Sequence, residues 1–151
     1  IHDKTASLIS ACCEMGAVIG GATQEQTAAL VEFGELVGAA FQIKDDLLDL
    51  LGEREIVGKP TGRDLEKGKI TLPIIYMLSK NPDLKPLVRK AMRNNSRDAL
   101  HRLFESEGAI LEAFSVLNGF VDTATRSIES SFENDASNQL CAIAKQLKQN
   151  M

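Results

Sequence analysis

The stretch FQIKDDLLDLL, residues 41–51, sets three carboxylates, Asp45, Asp46 and Asp49, among apolar neighbours. The pattern leading into it is helical, and Gly52 stands where that helix should stop. Aspartate is a poor interior helix former, because its short side chain competes for backbone hydrogen bonds. At the negative end of a helix each exposed acid costs roughly 0.3–1 kcal/mol. Asp45 and Asp49, four apart, add a like-charge penalty of a few tenths of a kcal/mol. Something cationic must compensate them. On a helical wheel Gly38, Gln42, Asp45, Asp46 and Asp49 share one narrow polar arc, with Phe41, Ile43, Leu47, Leu48, Leu50 and Leu51 spread over about 180° of the other side. Hard oxygen ligands grouped this way suit Mg²⁺, which takes one or two carboxylates and keeps waters or substrate phosphates. The spacing alone leaves a second reading open, a solvated acidic helix end.

The next segment weighs against that second reading. Residues 53–70, EREIVGKPTGRDLEKGKI, hold Lys59, Arg63, Lys67 and Lys69, with Gly58 and Gly62 permitting close backbone approach. Singly, these lysines read as surface charge. Beside acids that hold Mg²⁺, a Gly/Lys loop could embrace a diphosphate, metal on one side and ammonium groups on the other. The phosphate-cradling pattern G-x-x-x-x-G-K-[ST] is absent, and a long polar loop inside a compact domain is more often functional than decorative.

The elements that must position these groups are helices, and no alternating strand pattern appears. A first helix is expected through TASLISACCEMGAVIG to the Gly20-Gly21 pair. A second opens at a T-x-x-Q capping box, Thr23 to Gln26, and runs to Gly52. TLPIIYMLSK accepts Pro73 only in its first turn. Further helices follow near LKPLVRKAMR, at SRDALHRLFESEG with Ser96 as N-cap and Gly108 as stop, and over AILEAFSVLNGFVDTATRSIESSF and ASNQLCAIAKQLKQ. The 151 residues, 44% apolar and 25% charged, read as a single all-helical domain or half-domain with an ordinary core.

A net charge of −4 argues against nucleic acid as a general partner, and no apolar run is long enough to cross a bilayer. Cys12, Cys13 and Cys141 fit neither a disulfide framework nor a zinc spacing and read as small core residues in a reducing compartment, with a cytoplasmic location expected. His2 and His101 stand alone and read as surface or packing residues. Tyr76 and the later phenylalanines read as core.

FQIKDDLLDLLG, then GKPTGRDLEKGKITLP, resembles the second aspartate-rich region of the trans-polyprenyl diphosphate synthases. The family pattern is F-Q-x-x-D-D-x-x-D, then G-K-x-x-G-x-D, then G-K-x-T-L-P. Lys4-Thr5 resembles the K-T pair that precedes it. The likeness is strong over residues 4 to about 76, and the later helices are compatible with it. It implies an all-α bundle, the C-terminal half of an isoprenoid-synthase-type fold. The reaction implied is ionisation of an allylic diphosphate with Mg²⁺, attack by isopentenyl diphosphate and loss of a proton.

By the same resemblance Asp45 is the principal Mg²⁺ ligand, with Asp46 and Asp49 holding metal-bound waters or orienting it. Lys4 and Lys59 grip the departing diphosphate. Lys69, a further diphosphate-side cation, and Asp64 organise the loop. Thr5 and Gln42 offer neutral oxygens to an allylic cation, and Phe41 shapes the pocket. The family's upstream D-D-x-x-D and its arginines are missing. The chain therefore reads as an incomplete enzyme, inactive alone, whose partner is the N-terminal half, within what is usually a homodimer. Its second helix should then expose apolar surface. The alternative is a non-catalytic helical subunit or interaction module derived from the same fold, which would be expected to lose Asp45, Lys59 or Gln42. A terpene cyclase would carry a different metal motif, and a di-iron bundle would need E-x-x-H pairs.

Overall fold

The structure, a computed structural model, describes residues 5–51, 67–94 and 96–148. Its helices are α1 (Ser7–Ile19), α2 (Gln24–Leu51), α3 (Leu72–Lys80), α4 (Lys85–Arg93), α5 (Arg97–Glu107), α6 (Ala109–Ser131) and α7 (Asp135–Lys145), with a 3₁₀ turn at Pro82–Leu84. No strand occurs among the described residues, so the fold is all-α as the periodicity requires. The chain divides into two compact units, one of Ile1–Gln42 with Val116–Met151 and one of Ile43–Ser115.

In the first unit α1 stops at Gly20, and Gly21 takes the left-handed conformation, φ 70°. The T-x-x-Q box then starts α2 reciprocally. The Gln26 N–H donates to Thr23 Oγ1 at 3.2 Å, and the Thr23 N–H donates to Gln26 Oε1 at 3.1 Å. The two helices approach closely over small residues. A Cβ added to Gly38 would lie 2.4 Å from the Ala6 Cα, and one added to Gly34 would lie 2.5 Å from the Ser10 Cα. Ser10 Oγ donates to the Val31 carbonyl at 3.2 Å. Along α6 Leu117, Val121, Ala124 and Ile128 recur at helical spacing and are fully buried. Ser127 Oγ ties α6 to α2 through Glu32 Oε2 at 2.8 Å.

The start of α7 comes from Asn134, whose side chain accepts from the Ser137 N–H at 2.9 Å while Ser137 Oγ accepts from the Asn134 N–H. Lys145, in the last turn of α7, pairs with Glu129 of α6, and Lys148 pairs with Asp122.

The second unit is built on Ile74, Met77, Val88, Ala91, Leu100, Phe104 and Ala109, with Leu50 and Tyr76 packed against them. Pro73 sits in the first turn of α3, where its missing N–H costs nothing. Ser96 is the N-cap position of α5, but its hydroxyl caps nothing. Its own N–H is committed to the Ala91 carbonyl at 2.9 Å, which holds the α4–α5 corner through the backbone. Gly108, at φ 67°, is the single residue between α5 and α6.

Among the described residues, exposed large apolar side chains occur on several helices, and those of α2 and α1 bear on the expectation above. Phe41 and Leu48 on α2 are 49% and 40% exposed, as expected of that helix. The larger share is on α1, where Leu8, Met15, Val18 and Ile19 are 58–87% exposed.

The glycine contacts separate two kinds of substitution. Gly38→Ala should lower the melting temperature, although alanine is the better helix former by about 1 kcal/mol. Gly16→Ala, where an added Cβ meets nothing within 4 Å, should raise stability by about 0.5–1 kcal/mol. Thermal unfolding followed by circular dichroism distinguishes them. A Gly38→Ala protein as stable as the parent would show that the α1–α2 approach is not tight.

Candidate functional site

The carboxylates take their positions from their neighbours on α2, because residues three and four apart share a face. Asp45 follows Phe41 and precedes Leu48, both exposed, and is itself exposed. Asp46 follows Ile43 and precedes Leu50, on the side that packs inward, and its side chain is only 3% exposed. Asp49, one turn beyond Asp45, is half-buried.

The cation that these acids require is supplied twice within the second unit. Lys69 Nζ, just before α3, donates to Asp46 Oδ1 at 2.8 Å. Arg97, the first residue of α5, donates through Nη2 to the Leu50 carbonyl at 3.1 Å and the Asp49 carbonyl at 3.4 Å. Those carbonyls are among the ones that the last turn of α2 leaves without helical partners. Lys69 was in view from its motif. Arg97 was not, since nothing in its local sequence announces a role 47 residues away. Thr71, at the N-cap position of α3, was also missed as a residue of interest; its Oγ1 is buried and has no hydrogen-bond partner among the described residues.

In the first unit, Thr5 Oγ1 donates to Gln42 Oε1 at 3.1 Å, joining the K-T and F-Q motifs across 37 residues. With its proton committed to Gln42, the Thr5 oxygen still presents lone pairs. Phe41 is exposed on α2. Lys4, Lys59, Asp64 and His2, with Gly58, Gly62 and Arg63, lie outside the described residues.

Among the described residues no three His, Cys, Asp or Glu side chains converge to enclose a cation. Asp45 and Asp49, two carboxylates one turn apart, nevertheless match what Mg²⁺ takes from a protein when waters and phosphates complete its octahedron. Burial pushes the Cys13 and Cys141 thiols up, away from the reactive thiolate form. His101 makes only an exposed contact with Glu105, at 3.4 Å.

The all-α fold is that of solved isoprenyl diphosphate synthases over a part of their length. Residues 1–107 match the Polyprenyl synthetase family. Heptaprenyl diphosphate synthase component 2 of Bacillus subtilis is 36% identical over 148 residues, covering 96% of this chain and 42% of that protein. The short chain isoprenyl diphosphate synthase of Methanothermobacter thermautotrophicus is 36% identical over 149 residues, covering 95% of this chain and 46% of that one. The geranylgeranyl pyrophosphate synthase of Corynebacterium glutamicum, solved with isoprenyl diphosphate and magnesium, superposes with a TM-score of 0.83 at 26% identity, over 98% of this chain and 44% of that one. The chain belongs to the polyprenyl synthetase family, and it spans a little under half the length of these relatives.

The Asp46–Lys69 pair is testable by a double-mutant cycle. Lys69→Met leaves a buried carboxylate without its cation, and Asp46→Asn removes the charge but keeps the shape. The double variant should be less destabilised than the sum of the singles, with a coupling of about 1–3 kcal/mol. Denaturant unfolding measures it, and additivity would mean that the pair contributes no specific stability.

Proposed function

We propose that this chain is the C-terminal part of a polyprenyl diphosphate synthase and carries the groups that draw diphosphate away from an allylic substrate. The observation that carries this reading is the unequal use of three adjacent carboxylates. Asp46 is spent on Lys69, while Asp45 stays exposed with Asp49 one turn on, at the end of a helix where acids are otherwise unfavourable.

Asp45 and Asp49 would hold Mg²⁺, which would supply Lewis acidity toward the diphosphate oxygens. Lys4 and Lys59, by their motif positions, would add ammonium donors to the same leaving group. Charge that grows as the C–O bond breaks is where binding contributes most to rate. Thr5 and Gln42, by their motif positions, would offer neutral oxygens to a developing allylic cation without the nucleophilicity of a charged group. Phe41 would form pocket wall. The double bond of isopentenyl diphosphate then forms the new C–C bond, and the resulting cation loses a proton to restore an alkene. Asp46 and Lys69 act by position, fixing the segment before α3 against α2, and Asp64 would order the loop between them. The remaining substrate contacts would come from an N-terminal half, and the whole enzyme would work as a cytoplasmic homodimer.

Mg²⁺ with inorganic diphosphate should stabilise this chain. At ligand about tenfold above its dissociation constant, the melting temperature should rise by about 3–5 °C. Asp45→Ala and Lys59→Ala should each abolish the rise. A shift that survives in both variants would remove the site assignment.

A further inference from the structure

A second charged surface lies on α4, well outside the carboxylate site. From residue 82 to 94 the sequence is PDLKPLVRKAMRN, four cations against one carboxylate in a chain whose net charge is −4. Val88 and Ala91 are buried, which turns Lys85, Arg89, Lys90 and Arg93 outward, and all four are exposed. Among the described residues none of the four has an ion-pair partner, whereas Lys69, Lys145 and Lys148 all do. The helix dipole accounts for Lys90 and Arg93 in the last turn, but Lys85 is the first residue of α4, where a cation is unfavourable. Some of this charge is therefore unexplained by folding.

The surroundings give the patch a second character. Lys85, Arg89, Lys90, Arg93 and Asn94 line an open recess of about 820 Å³. Lys90 and Asn94 also line a neighbouring recess of about 410 Å³, whose other walls include Leu87, Ala91, Ala99 and Leu103. Leu87 is 53% exposed, at the edge where the cationic arc of α4 meets its buried side. Cations and apolar side chains are thus adjacent on one accessible face, as in helices that lie on membrane surfaces.

We propose that α4 is a docking surface for an anionic lipid bilayer, with lipid phosphates on Lys85, Arg89, Lys90 and Arg93 and the first methylenes of the acyl region against Leu87 and Leu103. No described helix is long and apolar enough to cross a membrane, so the contact is peripheral. Nucleic acid would be served by the charge but would leave Leu87 and the apolar recess unused. The inference stands on α4 and its neighbours alone, independently of the diphosphate reading.

Vesicle flotation tests it, using phosphatidylcholine vesicles with and without about one-third phosphatidylglycerol. The chain should float with the anionic vesicles only, and should be released when salt rises from about 0.05 M to about 0.5 M. Arg89→Gln with Lys90→Gln should weaken partitioning by about tenfold or more. Leu87→Ser should weaken it at unchanged charge. Circular dichroism confirms folding of these surface variants. Equal flotation with neutral vesicles, no flotation with anionic ones, or binding by the variants equal to the parent would overturn the proposal. So would retention of the chain by single-stranded RNA with no vesicle binding.

Discussion

The geometry of the first unit depends on how closely α1 and α2 approach. Where Gly38 meets Ala6 and Gly34 meets Ser10, the backbone of one helix rests on the other with no room for a methyl group. Two glycines inside a helix cost about 1 kcal/mol each in propensity, so the contact they permit must return more than that. What it returns is register. With Ala6 over Gly38 and Ser10 over Gly34, Thr5 falls within hydrogen-bond reach of Gln42. A slip of one turn would move it about 5.4 Å and break that bond. Thr5 and Gln42 therefore meet where small residues a turn away let the two helices approach closely.

In the second unit the corresponding constraint is electrostatic. The end of α2 gathers three acids where the helix is already negative, an arrangement that lowers the stability of an isolated helix. Two cations from separate parts of the chain offset it, Lys69 at a carboxylate and Arg97 at the terminal carbonyls. Each also anchors the start of another element, Lys69 the segment before α3 and Arg97 the first turn of α5. Acids that would weaken α2 alone thus serve as attachment points for its neighbours. Burial makes the Asp46 attachment specific, since a buried carboxylate tolerates few substitutes for its partner. Asp45, exposed on the same helix, lacks that constraint.

How far the sequence revealed this follows from how local each signal is. Helix starts and stops written in neighbouring residues were legible: the Thr23–Gln26 box, Pro73 in a first turn, Gly108 as a stop. Ser96 shows the limit, because the cap residue is in place yet the backbone had already satisfied the corner. Asn134 is the converse, an effective cap overlooked beside a more obvious helical run. At the site, the wheel grouped the three aspartates together, but it could not tell which edge of the polar arc turns inward. Ile43 and Leu50 decide that, and only packing shows it. Arg97 was illegible for the same reason, as its partners are set by tertiary structure rather than by spacing.

The apolar face of α1 bears on what kind of part this chain is. Thirteen residues, SLISACCEMGAVI, contain one charged side chain, Glu14. A helix apolar on nearly all sides is suited to the interior of a bundle. Here one face packs on α2 through small residues, and another presents Leu8, Met15 and Ile19 at helical spacing to solvent. Leaving such side chains exposed forgoes roughly 1.5–3 kcal/mol apiece. Apolar surface of that extent is of the kind that a partner surface usually covers. Phe41 and Leu48, exposed on either side of Asp45, extend the argument to the site. A carboxylate flanked by uncovered apolar residues sits in water here, and covering them would lower the dielectric around it and strengthen its interaction with any neighbouring charge.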